Sequence, residues 1–376
     1  MTMGHFRHNA IKLILLCGLI SLLSQSCKED SPLADSKNPI PFNTKFIGQI
    51  ESPLSENLIY CKSVKLKRNS VIQSFDIAKD GSIYYLQIAG TSSHQLNLIK
   101  GTPADSAPEE MMVFEYFGHG TNMAIEEQGD GTWIWLGSYG NKGGDGGYGG
   151  SQAISRIKYE AGSTVQSGAG EHFYLDGTRN IHPSINLEKD ILGVQYSKKV
   201  SGVNARFFVA YKLSEAMALE VEDVKLDMLK YGGENGVPEK TETPVIKARR
   251  LSKLTPLYSF GVSDGHGGAV GEYAFQGFDM DDEFVYYYEG FGNDNKVEEP
   301  SKAFVSVLDK NGLLSARKEV KAILDSEALK AAGIADRGYM EAEGIKVKGD
   351  KLYTGFASRL MQDGTDTRLA NVFIYK

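Results

Sequence analysis

Three histidines, His119, His182 and His266, stand beside glycines or just before segments that the sequence predicts to be strands. His119 and His182 each lie one or two residues before such a strand, so we expect their side chains to gather at one end of the fold. Together with Glu341 and Glu343 they could hold a metal ion, because imidazole and carboxylate groups suit zinc or iron. The alternative, which we favour, is that these histidines hydrogen-bond to neighbouring backbone and fix turns, in which case no cofactor is needed.

Carboxylates offer a second kind of chemistry. Asp76 and Asp279 occupy the same position of a repeated segment, and Glu126 and Glu343 lie close to that position in other copies. A glycoside hydrolase needs an acid and a base flanking the glycosidic bond, and Asp76, Asp279 and Glu343 are the candidates for these roles. The two aspartates could equally accept hydrogen bonds from backbone N–H groups of neighbouring strands. No HExxH, GxSxG, EF-hand or glycosidase motif accompanies them, so we leave catalysis open and lean towards a protein that is not an enzyme.

Polar and aromatic side chains near the same strand ends are candidates for ligand binding. Aromatic rings offer flat faces on which sugar rings stack, and we expect Tyr139 and Tyr148, at the glycine-rich stretch 140–150, to be exposed. That stretch lacks the Gly-Lys-Ser/Thr ending of a phosphate-binding loop and opens no helix, so it predicts a mobile hairpin loop. The candidate ligand-binding residues are Gln73, His119, Asn122, Tyr139, His182 and Gln276.

Five similar segments indicate the elements that position these residues: 73–77, 121–125, 183–187, 276–280 and 343–347. In each segment the third and fifth residues are large and apolar, whereas the second is small, namely Ser74, Asn122, Ser184, Gly277 and Gly344. A turn and a second strand-like string follow each segment, so each unit is predicted to be a hairpin. In a β-propeller the inner strands of all blades crowd around one axis, and side chains that point at this axis must be small.

The predicted fold class is therefore all-β, a five-bladed β-propeller. The 42 glycines, 19 tyrosines and 17 phenylalanines among 376 residues also favour strands and turns over helices. Six blades are the alternative, because the longest interval between segments contains the strand-like residues 206–211. Residues 214–230 in the same interval predict a short helical insertion. We expect the ring to close by pairing of residues 46–51 with residues 371–375, which would remove an exposed edge.

The beginning of the chain is similar to an export signal. Basic residues precede an apolar run, 13–23, that is too short to span a bilayer stably, and Cys27 follows after small and polar residues. This pattern resembles the lipobox of bacterial lipoproteins, which implies a lipid on Cys27 that makes the membrane a partner. Residues 28–30, Lys-Glu-Asp, resemble the export signal of Bacteroidetes surface lipoproteins. We therefore expect a signal peptide (1–26), a tether (27–44) and a propeller domain (45–376) on an outer-membrane lipoprotein at the cell surface, or alternatively on the periplasmic face.

Charge and cysteine content exclude other classes of protein. The formal net charge of −7 argues against nucleic acid as a partner, because phosphate binding requires a basic surface. None of the three cysteines belongs to a CxxC pair, which excludes a disulfide scaffold and a thiolate zinc site.

Three stretches together resemble a known family: residues 73–77 (Gln-Ser-Phe-Asp-Ile), 118–121 (Gly-His-Gly-Thr) and 133–135 (Trp-Ile-Trp). They are similar to the five-bladed propellers of phage receptor-binding proteins, a family that includes teichoic-acid-biosynthesis-like sequences and is similar to helveticin-type bacteriocins. The resemblance covers residues 45–376 and implies recognition of a cell-surface polymer such as a polysaccharide. The leading hypothesis is thus a carbohydrate-binding surface protein. The alternatives are a glycoside hydrolase and a non-catalytic propeller that binds other proteins.

Overall fold

The computed structural model describes residues 58–375 except 67–69, 90–91, 102–110, 130, 144–146, 234–237, 264, 266–269, 293–300, 321–339 and 363. The described residues form 27 strands, one α-helix and one short 3-10 helix, so the all-β prediction is confirmed. In this part of the chain no helix has both the length and the hydrophobicity needed to cross a bilayer. The N-terminal signal, Cys27, the tether and His266 lie outside the described residues.

The described strands, numbered along the chain, form seven sheets, and the five that have four or more strands are the blades. Blade I contains, from inside outwards, β2 (Ile72–Ile77), β3 (Ile83–Ala89), β4 (Ser92–Gly101), β5 (Met111–Glu115) and β11 (Thr164–Gln166). Blade II contains β6 (Met123–Gln128), β7 (Gly131–Ser138), β10 (Ala153–Lys158), β12 (Glu171–Tyr174), β19 (Val245–Arg250) and β16 (Val221–Lys225). The first two strands of both blades coincide with predicted hairpins.

The other three blades have four strands each. Blade III contains β13 (Arg179–Asn186), β14 (Ile191–Val200), β15 (Val203–Lys212) and β20 (Tyr258–Ser263). Blade IV contains β21 (Phe275–Met280), β22 (Phe284–Phe291), β23 (Lys302–Asp309) and β24 (Leu314–Glu319). Blade V contains β25 (Met340–Lys348), β26 (Lys351–Gln362), β27 (Thr365–Tyr375) and β1 (Leu58–Lys65). The fold is therefore a five-bladed propeller, as predicted.

Blade V closes the ring by pairing the two ends of the described chain. β1 runs antiparallel to β27, so an early strand does pair with the last one. The early strand is Leu58–Lys65, however, and not residues 46–51, which lie outside the described residues. This pairing covers the edge that β27 would otherwise expose.

The described residues of the long interval between the third and fourth repeats form no sixth blade, and the helical insertion is shorter than predicted. Residues 206–211 belong to β15, the third strand of blade III. The α-helix α1 spans only Leu213–Ala218, and a 3-10 helix spans Leu251–Lys253. Residues 221–225 are strand because they pair with β19 at the edge of blade II, a tertiary contact that overrides local helix propensity. Two small hairpins, β8–β9 (Asn141–Lys142, Tyr148–Gly149) and β17–β18 (Leu229–Tyr231, Lys240–Glu242), complete the described strands.

Small residues surround the axis where the inner strands meet. The inner strands contact one another in the order β2, β6, β13, β21, β25 and again β2. A Cβ on Gly277 would lie 3.1 Å from Oδ1 of Asn122 and 3.3 Å from Cα of Gly344. A Cβ on Gly344 would lie 2.9 Å from Cδ1 of Phe75, so two positions of the small-residue repeat tolerate no side chain. The crowding predicted from the repeat is confirmed.

Five apolar clusters hold neighbouring blades together, one cluster for each pair. Phe208 of blade III, for example, packs on Phe278 of blade IV with ring centroids 5.6 Å apart, and Met280 lies in the same cluster. The large apolar residues of each inner strand face these interfaces, whereas the small residues face the axis. Burial between blades therefore fixes which side chains reach the ends of the channel.

Candidate functional site

A cavity of about 330 Å³ opens at one end of the channel, where the inner strands of blades II, III and IV begin. We call it the mouth cavity. It is lined by four of the six predicted ligand-binding residues: His119, Asn122, His182 and Gln276. The other two, Gln73 and Tyr139, are buried elsewhere and do not line it. The structure therefore brings together candidates from blades II, III and IV, whereas Gln73 and Tyr139 lie apart from them.

One face of blade III supplies the polar wall of the mouth cavity. In the register of the sheet, Gln195 of β14 lies opposite His182 of β13, and Ser197 lies opposite Arg206 of β15. Residues opposite one another in an antiparallel sheet project to the same side, so these four side chains share one face. Deeper on this face Phe208 packs against blade IV, whereas the upper, polar part has no such cover and lines the cavity.

Arg206 is the charged centre of this wall. Its Nη1 donates a hydrogen bond of 2.6 Å to the hydroxyl of Tyr287, and its guanidinium carbon lies 5.8 Å from the ring centre of Phe275. No aspartate or glutamate is among the described residues that line the cavity. The site therefore carries positive potential that no neighbouring carboxylate neutralises.

His182 is a neutral ring in this environment. Burial, with the positive charge of Arg206 and the proximity of His119, lowers the pKa of His182 to about 3 from its ordinary value of 6.5. Its ring centroid lies 5.1 Å from that of Phe275, and the two rings, tilted by 42° to one another, form an aromatic part of the lining. His119, by contrast, is exposed at the entrance.

Gln195 and Asn122 are the two most deeply buried polar side chains of the described lining. The side chain of Gln195 is only 2% exposed, and its Oε1 has no hydrogen-bond partner among the described residues. A buried amide without a partner is costly, and such groups in native proteins commonly mark a site that another molecule completes. Neither Gln195, Ser197 nor Arg206 was predicted from the sequence. They lie on the second and third strands of a blade, and only the register of the sheet brings them to the cavity.

The glycine-rich stretch forms another part of the wall, but its tyrosines do not point to solvent. Gly147, Gly149 and Gly150 line the cavity, whereas Tyr139 and Tyr148 are 7% and 1% exposed, so the expectation that both are exposed is wrong. The hydroxyl of Tyr148 accepts a hydrogen bond from a backbone N–H of the insertion between α1 and β19. Burial raises the pKa of Tyr139 to about 12. The insertion covers these rings, which could not be foreseen from local composition.

The described residues contain no side-chain cluster that supports the metal hypothesis. Among the described residues, no three histidine, cysteine, aspartate or glutamate side chains come together in a way that could hold an ion. His119 and His182 are close enough to interact electrostatically, but Glu341 lies on β25 of blade V, away from the three blades that form the cavity. Arg206 beside the histidines also opposes the binding of a cation.

The two aligned aspartates connect neighbouring blades. Oδ2 of Asp76 accepts a hydrogen bond of 2.8 Å from the backbone N–H of Ile125, and Oδ2 of Asp279 accepts one of 2.7 Å from Val347. In both cases the donor is the fifth residue of a repeat in another blade. Asp76 is 1% and Asp279 is 4% exposed, and neither lines the mouth cavity.

The other two acidic candidates, Glu126 and Glu343, do not line the mouth cavity either. Glu126 is buried in an ion pair with Arg156 (2.8 Å) and accepts a hydrogen bond from the indole of Trp135. Glu343 is buried on blade V, where burial and the nearby Glu341 raise its pKa well above the usual value. No pair of accessible carboxylates is found among the described residues of the mouth cavity.

Comparison with known proteins does not assign the chain to a family. No family model matches it. A relative from Bacillus subtilis (strain 168), named "Putative major teichoic acid biosynthesis protein C", is 20% identical over 264 residues, which are 68% of this chain and 49% of the relative. The match thus spans about half the length of that protein.

Three solved structures share a distant likeness. A calcium structure of a Trichoderma reesei carbohydrate-active enzyme of family AA12 has a TM-score of 0.36 and 10% identity, covering 81% of this chain and 82% of that one. A β-1,2-mannobiose phosphorylase from Listeria innocua, in complex with β-1,2-mannobiose, has a TM-score of 0.26 and 11% identity, covering 84% and 96%. A putative glycosidase from Bacteroides thetaiotaomicron has a TM-score of 0.26 and 13% identity, covering 87% and 95%. Because these TM-scores are low, the identification of a five-bladed propeller rests on the strand order of this chain and not on the comparison.

Proposed function

We propose that the propeller is a carbohydrate-binding module that captures a unit of an extracellular or cell-surface glycan in the mouth cavity. The observation that carries this function is the combination of two aromatic rings with a buried amide whose oxygen has no partner among the described residues, all in one concave site. Phe275 and His182 supply the rings, and Gln195 supplies the amide. Sugars present an apolar ring face and a rim of hydroxyl groups, and this lining matches both.

Binding without hydrolysis agrees with the placement of the carboxylates. A glycosidase requires an acid and a base beside the bond that is cleaved. Asp76 and Asp279 instead bind backbone N–H groups between blades, and Glu343 lies on blade V outside the cavity lining. The name of the Bacillus subtilis relative, which refers to teichoic acid biosynthesis, agrees with a cell-surface glycopolymer as the ligand.

Anchoring through a lipid on Cys27 is part of the same proposal. The signal-like residues 1–26 and the polar tether 27–44 would hold the propeller at the outer face of the outer membrane. A surface position would give the mouth cavity access to polymers outside the cell.

The purified full-length chain, held in detergent, tests the proposal on a glycan array. We expect binding to one or more glycans, loss of that binding in Gln195→Ala, and retention in the control Gln128→Ala, an exposed glutamine at the end of β6. Absence of binding by the parent protein, or equal binding by both variants, would refute a carbohydrate site in the mouth cavity. Release of chromophore from aryl glycosides would show a hydrolase instead, and capture of a protein without any glycan would indicate a protein-interaction propeller.

A further inference from the structure

We propose that the mouth cavity recognises the end of a glycan whose terminal sugar carries an anionic group, and that Arg206 binds this group. The inference rests on the carbohydrate-binding function proposed above and names its ligand class. The anionic group is a carboxylate, sulfate or phosphate, because each is an oxyanion that a guanidinium binds through charge-assisted hydrogen bonds.

Among the described arginines, Arg206 and Arg368 form no ion pair with a described carboxylate, and of these two only Arg206 lines the mouth cavity. Five other arginines each form an ion pair with a carboxylate: Arg156, Arg179, Arg249, Arg250 and Arg317. No aspartate or glutamate of the described chain lies within ion-pair distance of Arg206, whose hydrogen-bond partner is the neutral hydroxyl of Tyr287. In a protein with 48 acidic and 41 basic residues, an arginine without a carboxylate in a concave site is a counter-ion available to a ligand.

The guanidinium is also held in place. The bond to Tyr287 occupies Nη1, and the ring of Phe275 lies beside the group, so Arg206 loses little freedom when a ligand binds. A guanidinium has five N–H donors, so most remain for an oxyanion. Because the cavity is partly closed to water, the attraction between the two charges is stronger than on an open surface.

Gln195 gives an independent indication of a ligand that has hydroxyl groups next to its charge. Its side chain shares the face of blade III with Arg206 and Ser197. Gln195 is only 2% exposed, and its Oε1 has no hydrogen-bond partner among the described residues. An oxyanion cannot satisfy this oxygen, because both are acceptors, whereas a sugar hydroxyl can donate to it. The pair of groups therefore fits an acidic sugar better than a simple inorganic anion.

The floor of the cavity explains why the ligand is a chain end. Asn122 closes the axis: its Nδ2 donates to the carbonyl of Pro183 at 2.8 Å, and its Oδ1 accepts from the N–H of Phe278 at 3.2 Å. Gly277 lies so close that a Cβ would be 3.1 Å from the same Oδ1. A polymer cannot pass through a closed floor, and about 330 Å³ is near the lower end of ligand sites, roughly 300–1,000 Å³. A terminal unit or a side branch can enter, whereas a continuous strand cannot.

Titration of the full-length chain with matched monosaccharides tests the charge preference. The probes are glucose, glucuronate and glucose 6-phosphate, and galactose and galacturonate, which differ within each series at carbon 6. We expect at least one acidic sugar to bind roughly 10-fold or more tightly than its neutral counterpart. Arg206→Gln should remove this preference, a loss of roughly 10- to 100-fold for the acidic sugar, and leave the neutral sugar unchanged.

A matched control and a milder variant keep this test decisive. Lys198→Gln removes one positive charge from β14, next to Ser197 but on the opposite face, and should not change the preference. Tyr287→Phe removes the hydrogen bond that holds the guanidinium but keeps its charge, and we expect the affinity for the acidic sugar to fall several-fold. This variant replaces Arg206→Gln in the test if Arg206→Gln does not fold. Folding of each variant is checked by circular dichroism.

Three outcomes separate failure of this inference from failure of the proposed function. Equal binding of neutral and acidic sugars by the parent protein would overturn the anionic preference and leave a carbohydrate site. Binding that rises more than tenfold from digalacturonate to tetragalacturonate would overturn recognition of a chain end. Absence of binding to every sugar and every array glycan would overturn both proposals.

Discussion

The protonation state of His182 is the property of the site that can be measured most directly. Burial and the neighbouring Arg206 and His119 lower its pKa to about 3, so its imidazole is neutral throughout the physiological pH range. In the unfolded chain the pKa returns to about 6.5. Because the folded-state pKa is the lower one, the unfolded chain binds more protons between these values, and the contribution of neutral His182 to stability is complete above pH 6.5 and is lost as the pH falls towards 3.

The magnitude follows from the size of the shift. One pKa unit corresponds to about 1.4 kcal/mol. The shift from 6.5 to about 3 therefore limits the contribution of His182 to the free energy of unfolding to a value on the order of 5 kcal/mol. We expect the free energy of unfolding of the parent protein, relative to His182→Gln, to decrease by up to about 1.4 kcal/mol for each pH unit between pH 6 and pH 4. Carboxylates titrate in both proteins, and the comparison removes their contribution.

Two measurements check this reasoning. Urea unfolding at several pH values gives the difference in stability, and NMR titration of the imidazole resonances, assigned with His182→Gln, gives the pKa itself. Arg206→Gln should raise the pKa of His182 without restoring 6.5, because burial, the larger cause, remains. A resonance of His182 that titrates near 6.5 in the parent protein would refute the account of a buried ring beside an uncompensated arginine.

The remaining predictions concern the axis and the anchor. Asp279→Ala leaves a buried backbone N–H of blade V without its acceptor and should cost about 1–3 kcal/mol in urea unfolding, and an unchanged midpoint would refute the inter-blade role. Gly344→Ala forces a Cβ to 2.9 Å from the ring of Phe75 at φ +91° and should cost clearly more than Gly349→Ala, where φ is +60° and nothing lies within 4 Å of the added Cβ. Equal costs would show that backbone strain, and not crowding at the axis, limits this position. Cys27→Ser should move the protein from the membrane to the soluble fraction and abolish labelling by radioactive palmitate. Continued labelling would disprove lipidation at that residue.

The propeller could be predicted because its constraint repeats. Each inner strand meets the same crowded axis, so the small residue recurs at Ser74, Asn122, Ser184, Gly277 and Gly344, and five copies make a weak pattern recognisable. Segments without such a repeated constraint were harder to predict. Residues 214–230 have the composition of a helix, but most of them are outside α1, because pairing with β19 draws residues 221–225 into the edge of blade II.

The candidate site was predicted only in part, for a related reason. His119 precedes the inner strand β6 and His182 lies in the first half of β13, and position along the chain is enough to place them at the mouth of the channel. Arg206 and Gln195 reach the same cavity from β15 and β14, through the pairing of strands and the packing of blade III on blade IV. Nothing in the residues around Arg206 distinguishes it from a polar residue at the end of an apolar strand. Its significance is visible only once it is seen to line the cavity without a described carboxylate partner, whereas five other arginines are ion-paired.

The distribution of charge near the axis follows from the architecture of the fold. Inner strands are sheet edges, and their unpaired backbone groups require partners from the next blade. Asp76 and Asp279 accept from such N–H groups, and Lys346 donates to the carbonyl of Met123, so charged residues at the axis are bound within the protein itself. Besides the inner-strand residues of the mouth cavity, polar groups on the upper ends of the second and third strands, which lie away from the axis, remain available to a ligand. Arg206 and Gln195 occupy such positions, and in a five-bladed propeller with a closed floor a site for a charged ligand is better sought there than among the conspicuous carboxylates of the repeat.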